Sequence, residues 1–301
     1  MITPPYLKPG DSISIVATAR KISAEELRPA IKKFNEWGLH VVLGDHIYAK
    51  QDQFAGTDEQ RAFDLQQMLD DKNIRAVISA RGGYGTLRII DNIDFSKFIN
   101  NPKWIIGYSD VTVLHSHIHQ NFHIETLHAT MPLKFPEDGH ENNSLLTLKK
   151  ALFGEEPEYS VAPNPLNRKG NAEGIIVGGN LSLLYALAGS SSEIDTEGKI
   201  LFIEDLDEYL YHIDRMMQQL KRSGKLNMLA GLIVGGMTEM RDNEIPFGKT
   251  ANEIIAETVA RYNFPVCYDF PAGHIDDNMA LILGRKVSLQ VKDEAITLKF
   301  V

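Results

Sequence analysis

The sequence has one cysteine in 301 residues. A lone thiol cannot close an internal disulfide, so burial must hold the fold together, and the chain fits a reducing compartment. Long apolar runs are missing too, which excludes a membrane-spanning helix. The first ten residues carry Pro4, Pro5 and Pro9, with no basic start followed by an apolar core. That is not the pattern of a signal peptide, and a cytoplasmic location is the expectation. Basic charge is also short: 31 Lys and Arg stand against 40 Asp and Glu, a net charge of −9. A nucleic-acid binder would want a basic face, so the charge argues against that class. A small charged substrate is not, because local fields can oppose the net sign. There are no internal repeats and no low-complexity tracts. What is present is 43% hydrophobic and 24% charged residues, the balance of a globular protein long enough for one large or two ordinary domains.

The first half alternates strand-like and helix-like segments. Residues 12–17 are β-branched and follow Pro9-Gly10-Asp11. Ser23 and Glu26 have the form of a capping box, with Leu27, Ile31 and Phe34 at helical spacing behind them. Residues 39–43 and 74–79 read as further strands, with a helix at 57–69 between them. This alternation predicts an α/β fold built on a mostly parallel sheet. Residues 155–170 contain Pro157, Pro163 and Pro165 and little periodicity, which predicts a linker between domains at 1–154 and 171–301. Beyond it, strands at 172–178, 199–203, 228–234 and 265–269 alternate with helices. The tail from 280 to 301 has the short alternating strands of antiparallel structure.

One stretch concentrates the chemistry: Trp104-Ile105-Ile106-Gly107-Tyr108-Ser109-Asp110. It reads as a buried strand, a sharp turn with a serine at its apex, and a helix start, which lifts a hydroxyl toward free N–H groups. The bland alternative for Ser109 is a helix cap. Two later strand ends carry suitable partners, Glu204 after Ile200-Leu201-Phe202-Ile203, and His274 in a turn before Asn278. An imidazole can take the serine proton near neutral pH, and a carboxylate on its far nitrogen fixes its tautomer. Asp205 and Asp207 compete with Glu204 for that role, and His274 could be a structural turn residue. The loop Arg81-Gly82-Gly83-Tyr84-Gly85 lacks a P-loop lysine and matches the dinucleotide fingerprint poorly. Its glycines would let backbone N–H groups approach a developing oxyanion, with Gly83 and Asp110 as the pair. Arg81 is a candidate grip for a substrate carboxylate.

Two other patterns carry less. His115, His119 and His123 fall at helical spacing, with His117 and His128 nearby, which could suggest zinc. There is no His-Glu-x-x-His motif and no placed glutamate base, so no metal site is expected. Cys267 lies in a short apolar strand and is expected to be buried and inert.

These motifs, together with Leu7-Lys8-Pro9-Gly10-Asp11, Gly178-Gly179-Asn180-Leu181 and Ile213-Asp214-Arg215-Met216, recur in order along nearly the whole chain. In this the sequence resembles the LD-carboxypeptidase family of serine peptidases, the muramoyltetrapeptide carboxypeptidases. The resemblance implies a Rossmann-like N-terminal domain carrying Ser109, and a smaller C-terminal α/β domain with barrel-like antiparallel strands carrying Glu204 and His274. It implies an oxyanion hole from Gly83 and Asp110, a homodimer, and no metal or organic cofactor; beside it, Arg81 and Gly82 of the glycine-rich loop are the expected substrate contacts. The implied substrate is a cytoplasmic murein tetrapeptide, cleaved before its terminal D-alanine during peptidoglycan recycling. Two rival readings stand beside it. One is the sister branch of microcin C self-immunity peptidases, which cleave acyl–adenylate amides with the same triad. Those proteins tend to be longer and present an aromatic platform on an extended loop, whereas Trp37 and Trp104 here fall in helix- and strand-like segments. The other is a non-catalytic α/β protein that binds a small ligand.

Overall fold

The computed structural model describes residues 1–301, apart from the side chain of Ser160. The apolar runs of the first half become β1 (Ser12–Val16), β2 (His40–Leu43), β3 (Ile74–Ser79), β4 (Trp104–Gly107) and β5 (Thr126–His128). They lie in the order β5-β4-β3-β1-β2, all parallel. Helices α1 (Ala24–Glu36), α2 (Asp58–Asp70), α3 (Ser96–Asn100) and α4 (Thr112–Phe122) connect them. Ser23 with Glu26, and Thr57 with Gln60, close reciprocal capping boxes that start α1 and α2. Leu27, Ala30 and Phe34 of α1 bury in one cluster with Ile13, Ile15 and Ile78 of the sheet. Every residue of β4 is buried, as a central strand covered on both faces requires.

The second half supplies α5 (Asn143–Phe153), β6 (Tyr159–Val161), β7 (Gly170–Asn180), α6 (Leu181–Ala186), β8 (Ile200–Leu206), α7 (Leu210–Arg222), β9 (Gly231–Thr238), α8 (Ala251–Val259) and β10 (Val266–Cys267). It ends in β11 (Leu281–Leu283), β12 (Lys286–Val291) and β13 (Ile296–Phe300). The sheet runs β10-β9-β8-β7-β12-β13-β6, parallel from β10 to β7 and antiparallel from β7 to β6. Arg168, between β6 and β7, exchanges two backbone hydrogen bonds of 3.0 Å with Val266 on the β10 edge. The two ends of the sheet are thereby drawn together, and it curls into a nearly closed, barrel-like form. The expected fold class is found: a Rossmann-like parallel-rich sheet followed by a mixed, barrel-like α/β unit.

Three placements add to the sequence expectation. Tyr159–Val161, inside the proline-rich 155–170 stretch, pairs with β13 as an edge strand. β11 leaves the second unit and pairs antiparallel with β5, so the first sheet gains a sixth strand from the C-terminal half. β9 continues past Gly235-Gly236 to Thr238 through a bulge: β8 advances from Ile203 to Asp205 while β9 advances from Val234 to Met237. Among the described residues no helix is long and apolar enough to cross a membrane.

Candidate active site

In a parallel sheet, β1, β3 and β4 end on the same edge, so the segments following them meet there. These are the Arg20 segment, the Arg81-Gly82-Gly83 loop and the Ser109 turn. Ser109 sits at φ +62°, a left-handed conformation that costs a non-glycine residue roughly 1–2 kcal/mol. The turn is braced from several sides. Gly107, at φ +150°, lets Val111 fold back; a Cβ there would lie 2.7 Å from Val111 Cγ2. His115, one turn into α4, places Nε2 2.9 Å from the Gly107 carbonyl. A Cβ on Gly82 would lie 2.9 Å from Ser109 Cβ and 3.0 Å from its Oγ, so only glycine fits there. Thr86 N–H donates to Asp110 Oδ2 at 2.8 Å, tying the glycine-rich loop to the residue after the serine. Burial raises the Asp110 carboxyl above its ordinary range.

The second sheet presents β7, β8 and β9 ends from the other side. Glu204 is fully buried, and its Oε2 accepts from both the ring Nδ1 of His274 at 2.5 Å and the His274 backbone N–H at 3.2 Å. Three features let the His274 turn reach it. Gly273, at φ +105°, leaves room where a Cβ would lie 2.7 Å from Glu204 Cβ. The bulge glycines admit the same turn, since a Cβ on Gly235 would meet the Ala272 carbonyl at 2.4 Å. Asn278 Oδ1 accepts from Gly273 N–H at 2.8 Å, and Thr238 Oγ1 donates to the His274 carbonyl at 2.8 Å. The Tyr108 ring stands edge-on to His274, with centroids 4.8 Å apart. Burial disfavours protonation of His274, but the charge and hydrogen bond of Glu204, with Asp205 behind it, outweigh burial and raise its pKa. Asp205 is buried and pushed up to about 7, by burial first and by the Glu204 charge second. Its oxygens accept from Asn180 Nδ2 and Ser182 N–H, both at 2.9 Å, so it caps the start of α6.

Ser109 and His274 line one cavity of about 460 Å³ between the two units, together with Arg81, Gly82 and Gly83. Among the described residues no hydrogen bond joins the Ser109 hydroxyl to the His274 ring, a looseness common before substrate binds. The Gly83 N–H has no acceptor among the described residues, and Asp110 N–H belongs to the first helical turn, where donors lack intrahelical partners. All seven sequence-nominated residues thus converge on one place. Sequence reasoning missed Arg20, Tyr108, Lys134 and Asn180. Arg20 and Lys134 add positive charge to the cavity, whose lining also includes Asp205, Asp207 and Glu208. Asp207 and Glu208 are already paired, with Arg241 and with His212.

No member of the histidine run lines the cavity, and His115 touches the site only through the Gly107 carbonyl. His115 and His119 are buried in the core with one ring nitrogen bonded each, His119 Nε2 lying 2.9 Å from Thr126 Oγ1, and burial lowers the pKa of both. His123 ends α4 in a left-handed conformation at φ +54°, so the helical spacing breaks before the third histidine. Cys267 is buried, and burial pushes its thiol up to about 12, away from nucleophilic form.

The chain matches the LD-carboxypeptidase N-terminal domain model over residues 13–129 and the LD-carboxypeptidase C-terminal domain model over residues 173–289. It belongs to the LD-carboxypeptidase family of serine peptidases. A probable murein peptide carboxypeptidase of Bacillus subtilis is 36% identical, covering 98% of this chain and 94% of the relative. The murein tetrapeptide carboxypeptidase of Pseudomonas aeruginosa is 29% identical and covers 92% of each chain. The crystal structure of a muramoyltetrapeptide carboxypeptidase from Oxalobacter formigenes superposes with a TM-score of 0.85 at 28% identity, covering 96% of this chain and 98% of that one. The microcin C7 self immunity protein MccF shares the fold at a TM-score of 0.86, 21% identity, and coverage of 99% and 98%.

Proposed function

We propose that the protein is a serine carboxypeptidase that removes the terminal D-alanine from murein tetrapeptides, cutting the bond that follows the L-centre of diaminopimelate or lysine. One observation carries this reading: a serine on a strained strand-to-helix turn shares a cavity with a histidine paired at 2.5 Å to a fully buried glutamate. In this reading His274 takes the Ser109 proton as Oγ attacks the scissile carbonyl. Glu204 holds Nδ1–H, so Nε2 is the basic nitrogen, and it stabilises the imidazolium that forms. The N–H groups of Gly83 and Asp110 hold the oxyanion, and each such donor contributes about 3 kcal/mol to the transition state. The imidazolium then protonates the departing D-alanine nitrogen, leaving an acyl ester on Ser109. Water, deprotonated by His274, cleaves that ester and restores the hydroxyl.

Arg81 and Gly82 form the wall against which the substrate lies, and the catalytic groups are divided between the units 1–154 and 171–301. The names of the relatives support a murein peptide as substrate; that it is met in the cytoplasm, on its way to reuse, is part of the proposal. Against the self-immunity reading, neither tryptophan reaches the cavity: Trp37 packs on Phe34, and Trp104 donates Nε1–H to the Pro5 carbonyl. The test supplies a murein tetrapeptide and, separately, an aminoacyl sulfamoyl adenosine, and follows D-alanine or amino-acid release. Release from the tetrapeptide alone supports the proposal. No D-alanine from folded protein would sink it.

A further inference from the structure

Arg20 follows β1 and is anchored through its backbone, which bridges Phe54 while Lys21 N–H donates to the Gln53 carbonyl at 3.1 Å. Its aliphatic stem crosses directly over Gly83. A Cβ placed on Gly83 would lie 2.6 Å from Arg20 Cγ and Cδ and 2.8 Å from its Nε. The guanidinium is exposed, lines the cavity that holds Ser109, and has no ion-pair or hydrogen-bond partner among the described residues. Arg81 differs. It is half-buried and its Nη1 is spent on the Lys21 carbonyl at 3.2 Å, which braces the segment bearing Arg20.

The inference rests on the peptidase reading above. In a carboxypeptidase substrate, only the nitrogen and Cα of the leaving residue separate the scissile carbonyl from the terminal carboxylate. A carbonyl oxygen held at Gly83 N–H therefore leaves that carboxylate within a few ångströms of the same loop. We propose that Arg20 receives the terminal carboxylate of the leaving D-amino acid and makes the enzyme an exopeptidase. Its planar fork matches both carboxylate oxygens, a geometry that a lysine ammonium cannot reproduce. The acidic groups that also line the cavity do not compete, since Asp207 and Glu208 have partners of their own and Asp205 is engaged at α6.

The experiment compares a tetrapeptide ending in free D-alanine with the same peptide ending in D-alanine amide, for wild type, Arg20→Met and Arg20→Lys. Wild type is expected to favour the free acid by on the order of 100-fold in kcat/KM, the worth of a charge-assisted bidentate contact. Arg20→Met should lose that preference, mainly through a raised KM for the acid, while turnover of the amide stays nearly level. Arg20→Lys should retain part of it, and the exposed site should leave the melting temperature unchanged. If Arg20→Met keeps the wild-type preference, or wild type cleaves acid and amide equally, the Arg20 assignment is wrong while the peptidase reading stands. If wild type cleaves neither peptide, both fall together.

Discussion

A histidine hydrogen-bonded to a buried carboxylate holds its proton to higher pH than one in water, and this sets the pH behaviour of the site. Burial alone would push His274 down, but Glu204 and Asp205 together push it up. A general base must be neutral to act, so kcat/KM should fall as pH drops through a His274 pKa lying above the ordinary imidazole value. Glu204→Gln removes the charge that raises it. That variant should shift the acid limb of the pH–rate profile to lower pH and reduce kcat by about 10⁴-fold, as misorienting the imidazole does in serine proteases. A limb that stays in place would show that some other group titrates. At this scale the sequence was partly legible. Ser109 stood out because an apolar run meets Gly107 and a helix follows. The Glu204–His274 pair spans 70 residues, and no local pattern ties them. Arg20 carried no signal, because one arginine beside Lys21 after an apolar strand looks like ordinary surface charge.

Among the elements, glycines decide where the loops can approach. Gly273→Ala would put a Cβ 2.7 Å from Glu204 Cβ at a backbone φ of +105°, with strain of about 1–3 kcal/mol. Moving the turn separates His274 from Glu204. The expected result is a large loss of kcat with a modest fall in melting temperature, read by kinetics beside thermal denaturation. If kcat fell only in proportion to the fraction folded, the turn would have no positioning role. Long strands and helices were readable from their periodicity, since capping boxes and apolar spacing persist over many residues. Three-residue strands such as β5 and β6 offer too short a run for any period to show. The β9 bulge was read as a strand end because Gly235-Gly236 interrupts the apolar run, when the glycines are there to admit the His274 turn.

For the molecule as a whole, the site requires two units held in fixed relation. β11 contributes to this by pairing with β5 in the first sheet. Just beyond it, Arg285 forms a nearly buried ion pair with Glu125, Nη2 to Oε2 2.6 Å, and its guanidinium lies 5.9 Å from the Tyr6 ring centroid. Glu125→Ala strands that guanidinium, and should cost about 3–5 kcal/mol in a denaturant titration. Adding Arg285→Met should recover part of the loss, and purely additive losses would show that the pair is uncoupled. The crossing of β11 between sheets was not readable, because a strand's partner depends on the packed units and not on its own residues. Everything rests on Ser109 of the first unit being the nucleophile served by His274 of the second, and the sharpest check is steady-state D-alanine release from a murein tetrapeptide by Ser109→Ala. Release should fall on the order of 10⁶-fold from wild type with an unchanged melting temperature. Release by Ser109→Ala at a rate near that of wild type would contradict it.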